Sequence, residues 1–182
     1  FGIDSDEVGN TYTTGLFKGT VNFGDTSLTS VSNSDGFVTK LDPNGNVIWV
    51  EQLGGLGVST DDLGNTYVTG IEYFDSETDV FDIFGDSSSS DGEGFIAKLD
   101  GNGNLVWTEN FDSTFFSLGW DIATDEVGNS YVIGNFAGDV NLGNQTLSSS
   151  GDTDIFVSKF DSDGNVVWSQ KFGSTLSELS TG

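Results

Sequence analysis

The chain has 182 residues, and its 29 acidic and five basic side chains give a formal net charge of −24. Nucleic acid is excluded as a partner, because phosphate binding needs clustered Lys and Arg. No His and no Cys are present, which excludes Ser-His-Asp and Cys-His triads, thiolate chemistry, disulfides and ordinary zinc sites. No apolar run of about 18 residues occurs, so we expect no membrane insertion.

Two short phrases alternate along the chain, and each occurs three times. The first reads Asp-x-x-Gly-Asn-x-Tyr and spans residues 6–12, 61–67 and 125–131. The second runs from a Phe to a Trp and spans residues 37–49, 95–107 and 156–168. A repeat of roughly 60 residues with variable spacers is typical of constant strands joined by variable loops.

Each phrase predicts a β-hairpin. In the second phrase, Asp42 caps the turn, Pro43 presets φ, and Gly45 supplies the left-handed residue of a bulge. Asp6 and Gly9 stand at the same spacing in the first phrase and predict another tight reversal. Each copy should then hold four strands, which in the third copy are residues 120–125, 130–134, 154–161 and 166–171.

A repeated four-stranded meander with apolar residues on both faces predicts a β-propeller blade. We therefore expect an all-β protein of three four-stranded β-propeller blades and about twelve strands, forming part of a larger or oligomer-completed propeller. Blade 1 should span 1–53, blade 2 should span 54–111 and blade 3 should span 112–174, with a tail at 175–182 toward a next blade. A β-trefoil, which also has three four-stranded repeats, is the alternative.

The third copy shows the full pattern. It reads Asp-x-Ala-x-Asp-x-x-Gly-Asn-x-Tyr-Val-x-Gly over 121–134 and Asp-x-Phe-Val-x-Lys-Phe-Asp-x-x-Gly-Asn-x-x-Trp over 154–168. This pattern resembles the seven-bladed β-propeller repeats of bacterial surface and secreted proteins, with three repeats present. The resemblance implies a secreted or cell-surface bacterial protein that serves as a scaffold, because members share no chemistry. The second copy departs from the pattern with an acidic insertion between Tyr73 and Phe84.

The first and third copies are as regular as the second and lack the polar caps that usually end a repeat array. Their outer faces should therefore be apolar. Further blades or another copy of the chain are the expected partners for these faces. A protein or glycan ligand is the other expected partner.

The second hairpin also places oxygen ligands at alternate positions, as at the opening of an EF-hand calcium loop. The candidate ligands are Asp42, Asn44 and Asn46, then Asp100, Asn102 and Asn104, then Asp161, Asp163 and Asn165. The third set is favoured because it offers two carboxylates. The distal acid of an EF-hand is missing, and turn capping explains the same residues. Calcium is the one cofactor that the sequence suggests, and no cofactor follows from the sequence with certainty.

Two further residue types recur in register. Lys40, Lys98 and Lys159 each follow an acid by five residues, which predicts structural ion pairs with Asp35, Glu93 and Asp154. Trp49, Trp107 and Trp168 occupy the last strand of each copy, which favours packing between units over sugar stacking. Trp120 has no counterpart in the other copies.

These features favour a non-enzymatic extracellular repeat scaffold that mediates protein or glycan contacts or self-assembly. The alternative is a calcium-dependent carbohydrate-binding module. A glycosidase ranks third, since acid pairs such as Asp61 and Asp62 occur but nothing marks one of them as a raised-pKa acid.

Overall fold

The structure, a computed structural model, describes residues 1–31, 35–73 and 92–175. Every regular element in these ranges is a β-strand. The predicted all-β class is therefore confirmed. Among the described residues, no helix is long and apolar enough to span a membrane.

The strands fall into three groups that follow the three sequence copies. The first unit contains β1 (Ile3–Ser5), β2 (Thr11–Phe17), β3 (Thr20–Phe23), β4 (Thr26–Thr29), β5 (Asp35–Leu41) and β6 (Val47–Glu51). The second unit contains β7 (Gly57–Thr60), β8 (Thr66–Tyr73), β9 (Gly92–Leu99) and β10 (Leu105–Ser113). The third unit contains β11 (Phe116–Thr124), β12 (Ser130–Ala137), β13 (Asp139–Leu142), β14 (Gln145–Ser148), β15 (Asp154–Phe160) and β16 (Val166–Phe172).

Each unit is built on a four-stranded antiparallel meander. The strand orders are β1-β2-β5-β6, β7-β8-β9-β10 and β11-β12-β15-β16. Three four-stranded units are thus present, as predicted. In the third unit β11 begins at Phe116, earlier than predicted, because it continues pairing with β12 as far as Ala137.

The predicted total of about twelve strands is wrong, because the described residues contain sixteen. The four additional strands form two short hairpins, β3–β4 and β13–β14, each inserted between the second and third strands of its meander. Gly24 and Gly143 adopt φ values of 60° and 56° at the tips of these hairpins. Residues alternate on either side of these glycines, but a short alternation around a Gly is equally typical of a loop.

The hairpin β13–β14 crosses from the third unit to the second. Val140 and Asn141 of β13 pair with Ser113 and Asp112 of β10, so the second sheet has six strands in the order β14-β13-β10-β9-β8-β7. The third unit therefore completes the sheet of the unit before it. The last strand of the second unit also extends two residues past the predicted boundary at residue 111.

The hydrophobic core lies between the sheets. At the first junction, where units 1 and 2 meet, the buried residues are Tyr12, Val38, Trp49, Val58, Val68, Phe95, Ala97 and Leu99. At the second junction, where units 2 and 3 meet, they include Tyr67, Ile96, Phe111, Ile122, Val132, Phe136, Phe156 and Phe160. A trefoil would hydrogen-bond all three units into one sheet, whereas each meander here keeps its own sheet and stacks on the next.

The middle unit is covered on both sides. Its first strand, β7, contacts β1 of the first unit and β11 of the third. Val58 of β7 is 5% exposed and the aligned Ile122 of β11 is 6% exposed, whereas the aligned Ile3 of β1 is 75% exposed. The acidic insertion and most of the tail at 175–182 lie outside the described residues.

Candidate functional site

Both turns of each meander lie at the same end of the sheet, because Thr11 at the start of β2 pairs with Leu41 at the end of β5. We call this end the turn face. Each turn closes with the amide of its Gly donating to the carbonyl of its Asp, as from Gly9 to Asp6 (3.0 Å). The glycines with positive φ at these turns are Gly9, Gly45, Gly64, Gly103, Gly128 and Gly164. The predicted reversals are confirmed.

The first residue of each candidate calcium loop caps its own turn. Oδ1 of Asp161 accepts hydrogen bonds from the amides of Asp163 (3.0 Å) and Asn165 (2.8 Å). The side-chain amide of Asn165 donates to both carboxylate oxygens at 3.2 and 3.1 Å. Asp42 and Asp100 accept the same backbone bonds in their turns, and the side-chain amide of Asn104 donates to both oxygens of Asp100 whereas that of Asn46 donates to one oxygen of Asp42.

These bonds favour the charged carboxylate. The side-chain amides of Asn46 and Asn104 hold the pKa values of Asp42 and Asp100 below the ordinary range. Burial acts to raise the pKa of Asp161, but the hydrogen bonds from the backbone and side chain of Asn165 outweigh it, so this pKa is also lowered.

The remaining calcium candidates lie on the surface. Asn44, Asn102 and Asp163 are exposed at the third positions of their turns, and each donates its backbone amide to the capping Asp. Across the described ranges, no three acidic side chains are grouped so that they could hold a metal ion. Calcium binding at Asp161 and Asp163 stays a prediction.

The first phrase builds a network that the sequence indicated only as a turn. The hydroxyl of Tyr67 donates to Oδ2 of Asp61 at 3.2 Å, and Asn65 donates both its amides to the same carboxylate. Asp6 binds Asn10 and Tyr12 in the same way, with the Tyr hydroxyl at 3.0 Å. Burial, followed by the neighbouring carboxylate, raises the pKa values of both tyrosines.

Each repeated Lys lies over the Tyr of this network. The ammonium groups of Lys40, Lys98 and Lys159 are 5.0, 5.2 and 5.0 Å from the ring centroids of Tyr12, Tyr67 and Tyr131. The ammonium of Lys98 also reaches the next unit, where it donates to the carbonyl of Ser162 at 3.1 Å. Lys98 therefore braces the second junction through an aromatic and a carbonyl contact, whereas Lys40 and Lys159 rest on the Tyr of their own unit.

The ion-pair prediction is wrong for the third copy. Asp154, which is fully buried, pairs with Lys171 at 3.4 Å, and Ser150 donates its amide to the same oxygen at 2.8 Å. Lys159 lies over Tyr131 instead. The reason is the alternation of the strand, since Asp154 and Lys159 are five residues apart on β15 and so point to opposite faces.

The repeated Trp residues link one unit to the next. The indole N–H of Trp49 donates to the carbonyl of Gly101 at 3.2 Å, and that of Trp107 donates to Ser162 at the same distance. Packing between units is confirmed for these two residues. Trp168 lies on the outer face of the third unit and is 36% exposed. The unmatched Trp120 donates to Oδ1 of Asn135 at 2.7 Å and is half-buried.

A cleft of 340 Å³ opens on the turn face at the first junction, between the turns that begin at Asp6 and Asp61. Lys40 lines it, together with Asp62, the partner in the acid pair named above. Asp61 is 4% exposed, and its carboxylate is committed to its own turn. Asp62 is exposed. The two carboxylates therefore have different surroundings, and only the exposed one is open to a ligand.

No protein-family model matches this chain, and no curated protein matches it.

Proposed function

We propose that this chain is a non-enzymatic repeat scaffold of a bacterial secreted or cell-surface protein. Its three units act as blades of a larger propeller-type assembly. The scaffold works through contacts with a protein or glycan partner or with further units of its own kind. The resemblance of the repeats to propeller blades of surface and secreted proteins supports this location and role.

One observation carries the proposal: the charged and aromatic side chains that could bind or react with a ligand recur in every unit, where they make bonds that hold the fold together. The turn carboxylates of Asp42, Asp100 and Asp161 cap their own turns. The ammonium groups of the repeated lysines rest on tyrosine rings, and two of the three indoles bind the neighbouring unit. Residues that serve the same structural bond three times over are poor candidates for a single reaction centre.

The surface charge supports an extracellular scaffold in a second way. A formal charge of −24 on 182 residues keeps separate chains apart and attracts cations, which suits a soluble protein in salt-rich surroundings. The only repeated positive groups, those of Lys40, Lys98 and Lys159, are buried or half-buried, so an anionic ligand would meet a repelling surface. Neutral glycans and protein surfaces remain the favoured partners.

A glycan array and a panel of glycosidase substrates test the proposal with the purified chain. Binding that persists after a calcium chelator, with no turnover of any substrate, is expected. Chelator-sensitive glycan binding would instead support the calcium-dependent carbohydrate-binding module. Asp163→Asn is the sharpest variant for that case, because it removes a carboxylate while the backbone amide of residue 163 keeps its bond to Asp161. Turnover of a glycoside would contradict the non-enzymatic assignment.

A further inference from the structure

The two junctions within the chain share one Trp contact at aligned positions. In each, a Trp from the last strand donates to a carbonyl in the second turn of the next unit and covers the Gly of that turn. A methyl group at Gly103 would lie 2.9 Å from the ring of Trp49, and one at Gly164 would lie 3.1 Å from Trp107. The chain therefore contains one Trp-on-turn interface twice.

Both halves of a third such interface are open at the two ends of the array. Trp168 is 36% exposed, against 9% for Trp49. Gly45, the turn glycine of the first unit, would accept a methyl group with no described atom within 4 Å. Ile3, on the strand that a preceding unit would cover, is 75% exposed. The outer face of the third unit thus presents the indole, and the turn at Gly45 of the first unit presents the surface on which an indole would pack.

The inserted hairpins repeat the same pattern. β13 adds to the edge of β10 in the preceding unit, and there Val140 and Leu142 are fully buried. In the part of the chain that the structure describes, β3 and β4 form a sheet of only two strands. The aligned residues on β3, Val21 and Phe23, are half-buried. Among the described residues, the outer edge of β3 therefore pairs with no strand, and it is open to the kind of pairing that β13 makes with β10.

We propose that the outer face of the third unit is a docking surface for the first unit of a second copy of this chain, which adds head to tail. Trp168 packs on the turn at Gly45 and donates to the carbonyl of Pro43, while β3 of the second copy pairs beyond the end of β16. Lys159 takes the place that Lys98 holds at the second junction, directed at the same carbonyl. This inference deepens the proposed scaffold role and rests on it.

Continuity with the existing junctions identifies the occupant. The second junction buries an aromatic core, an indole hydrogen bond and a lysine–carbonyl bond. On the outer faces of the first and third units, Ile3 is 75% exposed and Trp168 is 36% exposed. Such an interface is heterologous, so repeated addition gives a closed ring or an open filament. Two chains of charge −24 repel each other, and salt should therefore strengthen association by screening that repulsion.

Cysteine trapping tests the docking directly, because the native chain has no Cys. At the second junction, the amide of Thr114 donates to the carbonyl of Asp139 at 2.9 Å, and the amide of Asp139 donates to the Thr114 hydroxyl at 2.8 Å. The aligned pair in the proposed interface is Thr175 with Thr20 of the second copy. Both residues are exposed, so Cys at either position leaves the core unchanged.

Thr20→Cys and Thr175→Cys chains are mixed and oxidised at moderate salt, and the products are separated without reductant. A mixed covalent dimer well above the level of either variant alone is expected. The double variant Thr114→Cys with Asp139→Cys is the control and should close within one chain. A closed control without enrichment of the mixed dimer would overturn the inference.

Sedimentation of the full chain gives an independent readout. Trp168→Ala should at least halve the associated fraction, whereas Val167→Ala on the same strand should leave it unchanged. Val167 is a matched apolar control because its exposure of 51% equals that of Ile48 and is close to the 54% of Val106, so a neighbouring unit does not cover this position. Equal behaviour of the two variants, or a monomer at every concentration, would overturn the docking. If the two copies do not dock, the glycan array still decides whether the chain acts as the proposed scaffold.

Discussion

The Trp residues give a matched test of the junctions, because the same side chain occupies a closed junction at Trp107 and an open face at Trp168. Trp107 packs 6.2 Å from the ring of Tyr67 and bonds to Ser162. Trp168 keeps the equivalent ring contact, at 6.4 Å from Tyr131. The two sites therefore differ chiefly in the contacts that cross to the next unit.

Removing a buried Trp typically costs about 3–5 kcal/mol, and a lost hydrogen bond accounts for about 1 kcal/mol of such a change. Because Trp107 is only partly buried, we expect Trp107→Ala to lower the free energy of unfolding by about 3 kcal/mol. We expect about half that loss for Trp168→Ala, which removes no bond to a second unit. For a chain of this size the first change lowers Tm by roughly 6–12 °C.

Urea unfolding followed by circular dichroism, at a protein concentration low enough to keep the chain monomeric, measures both values. Trp107→Phe separates the hydrogen bond from the ring packing, because it keeps an aromatic ring and removes the indole donor. If Trp168→Ala lowers the free energy of unfolding as much as Trp107→Ala does, the contribution of the junction to stability is refuted.

Three further outcomes follow from the turns. Gly103→Ala should destabilise the chain more than Gly45→Ala, since both introduce a side chain at positive φ but only the first meets the Trp49 ring. Equal losses of Tm would contradict the packing of Trp49 on the turn at Gly103. The hydrogen bond from Asn46 lowers the folded pKa of Asp42, so its stabilisation is complete above about pH 4 and is lost as the pH falls further. Thermal melts should show that loss reduced in Asp42→Asn, and an unchanged pH profile would count against it. If calcium binds, it should raise Tm by mass action, and Asp161→Ala with Asp163→Ala should abolish that gain; an equal response to sodium at matched ionic strength would reduce it to screening.

The meanders and their turns could be predicted because their signals are local. A Gly at a fixed distance from an Asp specifies the reversal, and alternating residues specify the strands on either side. Trp49 and Trp107 were also predictable, since a bulky aromatic in the same strand of every copy has to pack against something outside its own sheet.

The inserted hairpins and the true partner of Asp154 could not be predicted in the same way. Residues 20–29 are short, polar on alternate positions and interrupted by Gly24, which is equally typical of a loop. Their strand character depends on a partner in another unit, as β13 shows with β10. The pairing of Asp154 with Lys171 depends on which face of β15 each residue occupies, and a fixed distance of five residues places Lys159 on the other face.

The crossing hairpin has a consequence for the order in which the chain folds during synthesis. The edge of β10 ends at Ser113, but its partner strand begins only at Asp139, after two strands of the third unit have left the ribosome. Until then the second unit has an unpaired strand edge, which is the feature that invites contact with other nascent chains. The third unit thus protects the second, and a translational pause between residues 113 and 139 favours misassembly most.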